Sequence, residues 1–291
     1  MQESTKKKLT VVDLQQARHS GRKITMVTAY DYAFASIVDS VDIDIILVGD
    51  SGAMTTLGYE TTVPVSMEEM LTMARAVSRG AKNTFLIGDM PFLSYEVSAE
   101  RAVENAGRFL KEGGMDAVKL EGGRRMAPVV QAIVRAGIPV MGHIGLTPQS
   151  LSQLGGFRVQ GRDVESARGL VEDALALQEA GAFAILVEAV PAPVGQMITE
   201  AVRVPTVGIG AGPHCDGQVL VLHDLLGLFE RFVPKFVKRY ADLGASAREA
   251  LARFAAEVRE GVFPATEHCY GMKPEQAAEA REHLVRAGLL K

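Results

Sequence analysis

DAVKLEGGRRMAPVVQAIVRAGIPVMGH, residues 116–143, decides how the chain is read. DAVKLE (116–121) is a short apolar run ending in charge, EGGRRMAPVVQAIVRAG has helical spacing, Gly137 stops the helix, and IPVMGH (138–143) is a second apolar run. Neither run alternates apolar with polar residues. Such runs are buried on both faces, as strands of a parallel sheet are when helices cover them. The unit is therefore strand, helix, glycine, strand.

The same unit recurs in both directions. Upstream stand ITMVTA (24–29), IDIILVGD (43–50) and TFLIGD (84–89); downstream stand FAILVE (183–188) and VPTVGIG (204–210). The intervening segments carry helix signals. Ser66 and Glu69 fit a capping box ahead of SMEEMLTMARAVSRG, Ser98 opens SAERAVENAGRFLKEGG, and DVESARGLVEDALALQEAG runs to a terminal glycine. An eighth strand is assigned to VPKFVKRY (233–240), with SAREALARFAAEVREG as its helix. Unbroken strand–helix repeats predict an α/β fold, a (β/α)8 TIM barrel, with a doubly wound open sheet as the runner-up. No linker divides the chain, so residues 1–291 are expected to form a single domain: a barrel over about 24–262 and a C-terminal extension over about 263–291, with an added helix starting near Pro274.

Composition narrows the function. The 291 residues have 47 % hydrophobic and 23 % charged side chains and a net charge of −4. No basic stripe suits a nucleic-acid partner, and Lys6-Lys7-Lys8 reads as a solvated end. No stretch is long and apolar enough to span a membrane, and the N-terminus lacks a secretory pattern. Cys215 and Cys269 lack metal or disulfide spacing. A cytoplasmic protein is expected.

The chemistry sits where the strands end. Asp50, Asp89, Lys119 with Glu121, His143 and Glu188 close successive strands that are otherwise apolar. In a parallel barrel these ends converge on the face where barrel enzymes hold their catalytic residues. Taken singly, each residue has a plain reading: Asp50 as a helix cap, Lys119 as a surface residue, His143 as a hydrogen-bonded core residue, Glu188 as a partner of an arginine. Together, buried carboxylates need a compensating cation. Lys119 supplies one charge, and an all-oxygen donor set suits Mg²⁺ better than zinc. Two further features accompany the set. The stretch 144–163 is a long loop after strand five, and GIGAG (208–212) follows strand seven, where it suits either a bound phosphate or close packing at a barrel turn.

TAYDYAFA (28–35), LVGDS (47–51), KLEGG (119–123), GHIGLTPQS (142–150), GGFRVQGR (155–162), VGIGAG (207–212), DGQVLVLHD (216–224) and PKFVK (234–238) stand in an order that resembles the ketopantoate hydroxymethyltransferase family. The resemblance implies transfer of a one-carbon unit from 5,10-methylenetetrahydrofolate to 3-methyl-2-oxobutanoate, giving 2-dehydropantoate for pantothenate biosynthesis. It implies a (β/α)8 barrel, Mg²⁺ and a homo-oligomer, commonly a decamer. By position it makes Asp50 and Asp89 metal ligands, with Glu121 near the metal. It gives Ser51 and Lys119 the oxo acid's carboxylate, His143 the substrate pocket, and Glu188 the role of proton acceptor. One departure stands out: the family usually reads GDSLGM where this chain reads GDSGAM (49–54), which changes the surroundings of Ser51. Two other readings remain. One is a metal-dependent carbon–carbon lyase or mutase of the phosphoenolpyruvate-like barrel class acting on another 2-oxo acid. The other is a non-catalytic barrel serving as scaffold or ligand sensor.

Overall fold

In the computed structural model, which describes residues 7–151, 155, 156 and 158–291, eight parallel strands close into a barrel in sequence order. They are β1 (Ile24–Thr28), β2 (Ile45–Val48), β3 (Phe85–Asp89), β4 (Ala117–Glu121), β5 (Val140–Gly145), β6 (Ala184–Glu188), β7 (Thr206–Ile209) and β8 (Gly217–Leu220). Closure is made by β8 on β1, with Ile24 opposite Gly217 and Met26 opposite Val219. Lys6 of the basic run, and Ser152, Gln153, Leu154 and Phe157 of the long loop 144–163, lie outside the described residues.

Strand side chains alternate between two faces, and the core divides accordingly. Met26, Ile45, Leu47, Phe85, Ile87, Ala117, Met141, Leu186, Val207 and Val219 fill the barrel interior. Val27, Ile46, Val48, Leu86, Val118, Leu120, Ile185 and Val187 face the surrounding helices. Each Val, Leu, Ile, Met or Phe side chain so buried contributes about 1.5–3 kcal/mol.

The helices begin as their caps dictate. Helix α1 (Val11–Ser20) starts at the Thr10–Asp13 capping box. Next come α2 (Tyr32–Asp39) and the single-turn α3 (Gly52–Thr55). Helix α4 (Met67–Gly80) uses the expected Ser66–Glu69 box, and α5 (Ala99–Lys111) is capped by Ser98. Helix α6 (Ala127–Arg135) has proline in its first turn, and α7 (Val164–Glu179) starts at a box formed by Asp163 and Ser166. Helix α8 (Ala192–Ala201) follows β6, and the short α9 (Leu222–Leu225) follows β8.

The N-terminal end of the barrel is a stability face. Leu14 and Ala17 of α1 join the interior cluster and plug it. Three aspartates at this end each accept a backbone N–H from the first or second residue of a neighbouring strand. Asp44 takes Thr25, Asp116 takes Leu86, and Asp216 takes Thr206, each at 2.8 Å. Cations from the N-terminal segment cover the three carboxylates: Arg22 on Asp44, Lys8 on Asp116 and Arg18 on Asp216. Arg18 also donates to the carbonyls of Thr199 and Val202 at 2.8 and 2.7 Å. Strand starts and plug helix are thereby tied to one another.

The expected eighth strand is corrected. It is Gly217–Leu220, not VPKFVKRY. Four residues, one of them glycine and one the exposed Gln218, carry no apolar run to recognise. Val233–Tyr240 forms no strand, and Phe236 instead packs onto the interior cluster. A β-carbon at Gly210, whose φ is +64°, would fall 2.5 Å from Phe236 Cδ1. In GIGAG, therefore, Gly210 serves the close approach of this segment.

By internal contacts the chain divides into two compact units, Met1–Ala241 and Asp242–Lys291. The first contains the barrel. The second contains α10 (Leu243–Glu260), capped by Asp242, and α11 (Pro274–Arg286), close to where the added C-terminal helix is expected. The segment expected as the helix of strand eight is α10, in this second unit, while the helix that follows β8 is the four-residue α9. Neither α10 nor α11 has a buried residue; Leu251 and Phe254 are 67 % and 53 % exposed. Among the described residues no helix is long and apolar enough to cross a membrane.

Candidate active site

Strand register assembles the site. Asp89 on β3 is opposite Lys119 on β4, Glu121 on β4 is opposite His143 on β5, and Gly145 on β5 is opposite Glu188 on β6. Interior positions follow the period of two: Phe85, Ile87, Asp89; Ala117, Lys119, Glu121; Met141, His143. Apolar layers therefore fill the barrel below, and one polar layer closes it at the C-terminal mouth. Asp50 and Ser51 arrive from the loop after β2. All seven expected residues (Asp50, Ser51, Asp89, Lys119, Glu121, His143 and Glu188) line a single cavity of about 580 Å³.

Within it Lys119 Nζ donates to both oxygens of Asp89, at 2.7 and 2.8 Å, and lies 3.7 Å from Glu121 Oε1. Asp89 also accepts the backbone N–H of Asp50 at 3.0 Å. Asp89 and Lys119 are 1 % and 3 % exposed. Burial raises the Asp89 carboxyl, with Asp50 and Glu121 adding to the effect and Lys119 opposing it. Burial works against the Lys119 ammonium, but the surrounding carboxylates outweigh it and raise its pKa, so it stays charged.

His143 lies between two carboxylates. Nδ1 is 3.4 Å from Glu121 Oε1 and Nε2 is 3.2 Å from Glu188 Oε2. Neither contact has hydrogen-bond alignment, so both ring nitrogens and Glu121 Oε1 are buried without a hydrogen-bond partner. Burial and Lys119 disfavour the imidazolium, but Glu121 and Glu188 prevail and raise the pKa to about 9. At neutral pH the ring is a cation spanning two acids. His143 is thus not a hydrogen-bonded core histidine, and Glu188 faces a histidine rather than an arginine.

Sequence reasoning passed over the residue that ties the layer together. Gln149, 5 % exposed, donates through Nε2 to Asp50 Oδ2 and to the carbonyl of Met90, both at 3.0 Å. Its Oε1 accepts from Tyr95 Oη at 2.7 Å, and its backbone N–H donates to Glu121 Oε2 at 3.0 Å. Its only sequence signal was its place within GHIGLTPQS. Tyr30 was missed too. Its hydroxyl lies 2.9 Å from Ser51 Oγ, and burial pushes its pKa up to about 12, so it remains a neutral hydroxyl. The departure at position 52 is explained here. A β-carbon on Gly52 would fall 2.6 Å from Tyr30 Cδ1, so glycine is what lets this ring close over Ser51. Asp50 is not a helix cap: α3 begins at Ser51 without a side-chain cap.

Among the described residues no group of three or more His, Cys, Asp or Glu side chains is arranged to hold a metal by itself. Mg²⁺ does not need one, since one or two carboxylates suffice when waters and substrate complete its shell. Asp50 and Asp89 are a pair that could serve, with the Asp50 N–H donating to Asp89 Oδ2. Within the polar layer at the strand ends the carboxyl groups of Asp50, Asp89, Glu121 and Glu188 face the cations Lys119 and His143, and Glu121 Oε1 has no hydrogen-bond partner. A divalent cation suits that imbalance.

The sequence model of the family described as ketopantoate hydroxymethyltransferase matches residues 8–266. The 3-methyl-2-oxobutanoate hydroxymethyltransferase of Heliobacterium modesticaldum is 57 % identical over 269 residues, covering 92 % of this chain and 98 % of its own. That of Syntrophobacter fumaroxidans is 56 % identical over 272 residues, covering 94 % and 96 %. Among solved structures, a phosphonopyruvate hydrolase superposes with a TM-score of 0.59 at 16 % identity over 97 % of each chain. A 2,3-dimethylmalate lyase gives 0.56 at 13 % identity over 94 % and 98 %. At such identities the likeness is one of fold.

Proposed function

The chain belongs to the ketopantoate hydroxymethyltransferase family, and from that premise we propose how its side chains transfer a hydroxymethyl group from 5,10-methylenetetrahydrofolate to 3-methyl-2-oxobutanoate, a step of pantothenate biosynthesis. The observation that carries the reading is the registered polar layer Asp89–Lys119, Glu121–His143 and Glu188 at the barrel mouth. The lyase or mutase alternative is not favoured: the relatives above 50 % identity are transferases, and the phosphonopyruvate hydrolase shares only the fold.

Lys119 and Ser51 hold the carboxylate of the oxo acid, with Tyr30 fixing the Ser51 hydroxyl. Asp50 and Asp89 would hold Mg²⁺, with Glu121 beside them, and the ion would supply Lewis-acid stabilisation of charge at the 2-oxo oxygen. Glu188 accepts the C3 proton. The His143 cation, 3.2 Å away, orients the Glu188 carboxylate and offsets charge as the proton moves. Carbon C3 then bonds to the donor's methylene carbon, both carbon–nitrogen bonds of that methylene bridge, to N5 and N10, break, one water supplies the hydroxyl oxygen, and the proton taken from C3 together with one from the water ends on the two folate nitrogens. Leu47, Leu186 and Ile209 give the cavity an apolar side, against which the isopropyl group of the substrate is shielded from water.

We assign the enzyme to a homo-oligomer, with a decamer as the family expectation. The exposed apolar positions Leu251, Phe254 and Val258 of α10 support the assignment, because an amphipathic helix normally buries such a face. We place it in the cytoplasm; Cys215 and Cys269 are both free thiols, as a reducing compartment keeps them. Glu188→Gln tests the mechanism. Calorimetric binding of 3-methyl-2-oxobutanoate should change less than about threefold, while kcat falls by roughly 10²–10⁴. Undiminished kcat would remove Glu188 from the base role.

A further inference from the structure

The cavity has two dissimilar halves. The polar layer stands on β3 to β6 together with the loop after β2. Across the barrel, beyond β7 and β8, the lining changes to Phe229, Phe232 and Phe236, with Lys235, and includes one carboxylate, Asp224 of α9. The mechanism above uses none of these residues. Asp224 is only 7 % exposed, and its Oδ1 is buried without a hydrogen-bond partner. Burial pushes its carboxyl up to about 6, with Arg239 opposing the shift, so it is ionised at neutral pH at a cost to the fold. His223, its neighbour, packs its ring against Tyr30 and Phe34 at 5.3 and 5.8 Å between centroids and leaves Nδ1 unpartnered. A buried carboxylate oxygen kept without a donor is expensive unless a ligand brings one.

The proposed reaction needs a second substrate beside the oxo acid, and its chemistry matches this half. The pyrimidinone ring of a reduced pterin is flat and conjugated, and its 2-amino group and N3–H form a pair of parallel donors. A carboxylate accepts such a pair in the bidentate geometry it uses with guanidinium. Aromatic side chains stack on such rings. The folate's glutamate carries negative charge, and Arg158 and Lys235 bring positive charge to the same lining. We infer that the Asp224–Phe229–Phe236 side of the cavity is the subsite for the pterin of the one-carbon donor, with Asp224 accepting from its 2-amino and N3–H edge. The inference rests on the donor being a reduced folate. It sets the two substrates on opposite walls of one cavity, so that the donor's methylene carbon faces C3 of the oxo acid.

The test uses the full-length protein, 5,10-methylenetetrahydrofolate made from tetrahydrofolate and formaldehyde, and folate-free exchange of the C3 proton of 3-methyl-2-oxobutanoate in D₂O. In Asp224→Asn, which turns one acceptor into a donor, KM for the folate should rise at least about tenfold while C3 exchange stays within twofold of wild type. Phe229→Leu should raise the same KM and leave exchange alone, and it decides the matter if the first variant does not fold. Unchanged folate KM in these variants, or equal loss of exchange and turnover, would overturn the subsite. Failure of the wild-type protein to use the folate would instead overturn the donor assignment, so the two failures are distinguishable.

Discussion

Gln149→Leu is the perturbation whose consequence follows most fully from the geometry. Leucine fills nearly the same volume but cannot donate to Asp50 Oδ2 and the Met90 carbonyl or accept from Tyr95 Oη, contacts now at 3.0, 3.0 and 2.7 Å. The backbone bond from residue 149 to Glu121 Oε2 survives. Asp50 Oδ2 and the Met90 carbonyl lose this donor, while Tyr95 Oη keeps its bonds with the Glu121 backbone, and each orphaned group costs about 1–3 kcal/mol, the charged one most. With the water that enters a polar site of this size, a net loss of roughly 3–5 kcal/mol is expected. A urea titration reads it as a lower midpoint at an unchanged slope. Activity should fall further than stability, because an Asp50 carboxylate released by about 1 Å misplaces the proposed metal site, and such displacements cost on the order of 100-fold in rate. The reasoning is refuted if Gln149→Leu loses less than about 1 kcal/mol and keeps kcat/KM within threefold of wild type.

Lys119→Met leaves Asp89 and Glu121 buried without their cation, and the metal-free protein should lose about 3–5 kcal/mol; thermal unfolding in chelator checks this, with wild-type stability as the contrary result. Arg18→Ala leaves Asp216 and the carbonyls of Thr199 and Val202 without their shared donor at the closed end of the barrel. It should lower stability by roughly 3 kcal/mol while C3 exchange by the folded fraction is unchanged, as measured by urea titration alongside the exchange assay. Burial works against ionised Asp39, but hydrogen bonds from Thr84 and from Lys82 and Asn83 outweigh it, so its pKa is lowered. Its stabilising contribution is therefore complete above the unfolded value near 3.9 and is lost as pH falls through its lower folded value. Asp39→Ala should show a shallower loss of stability with acid below pH 4, and parallel acid-unfolding curves would contradict the assignment.

Most of the barrel was legible because buried parallel strands advertise themselves. ITMVTA, TFLIGD and FAILVE have no other plausible use, and the box at Ser66 and the serine at position 98 mark helix starts by side-chain chemistry alone. β8 was illegible for the converse reason. Gly217–Leu220 is defined by its pairing with Ile24–Val27, a relation between residues far apart in sequence, while VPKFVKRY has strand-like composition and instead covers Gly210. The site shows the same division. Asp89, Lys119, Glu121, His143 and Glu188 stood out as charges ending apolar runs, and register brought them together. Gln149, Tyr30 and Asp224 lie in loops or short turns where polar residues are ordinary, so only their burial and partners reveal them. The three aspartates at the opposite end were equally hidden, since a charge at the start of a strand reads as a solvated loop until its backbone partner is seen.

The most direct measurement is proton NMR of 3-methyl-2-oxobutanoate in D₂O with the purified protein and Mg²⁺, with and without 5,10-methylenetetrahydrofolate. The account predicts that the C3 proton signal disappears in both tubes, more slowly after chelation of the metal, and that a hydroxymethyl signal grows only with the folate. A C3 proton that persists in the presence of protein, Mg²⁺ and folate would contradict it.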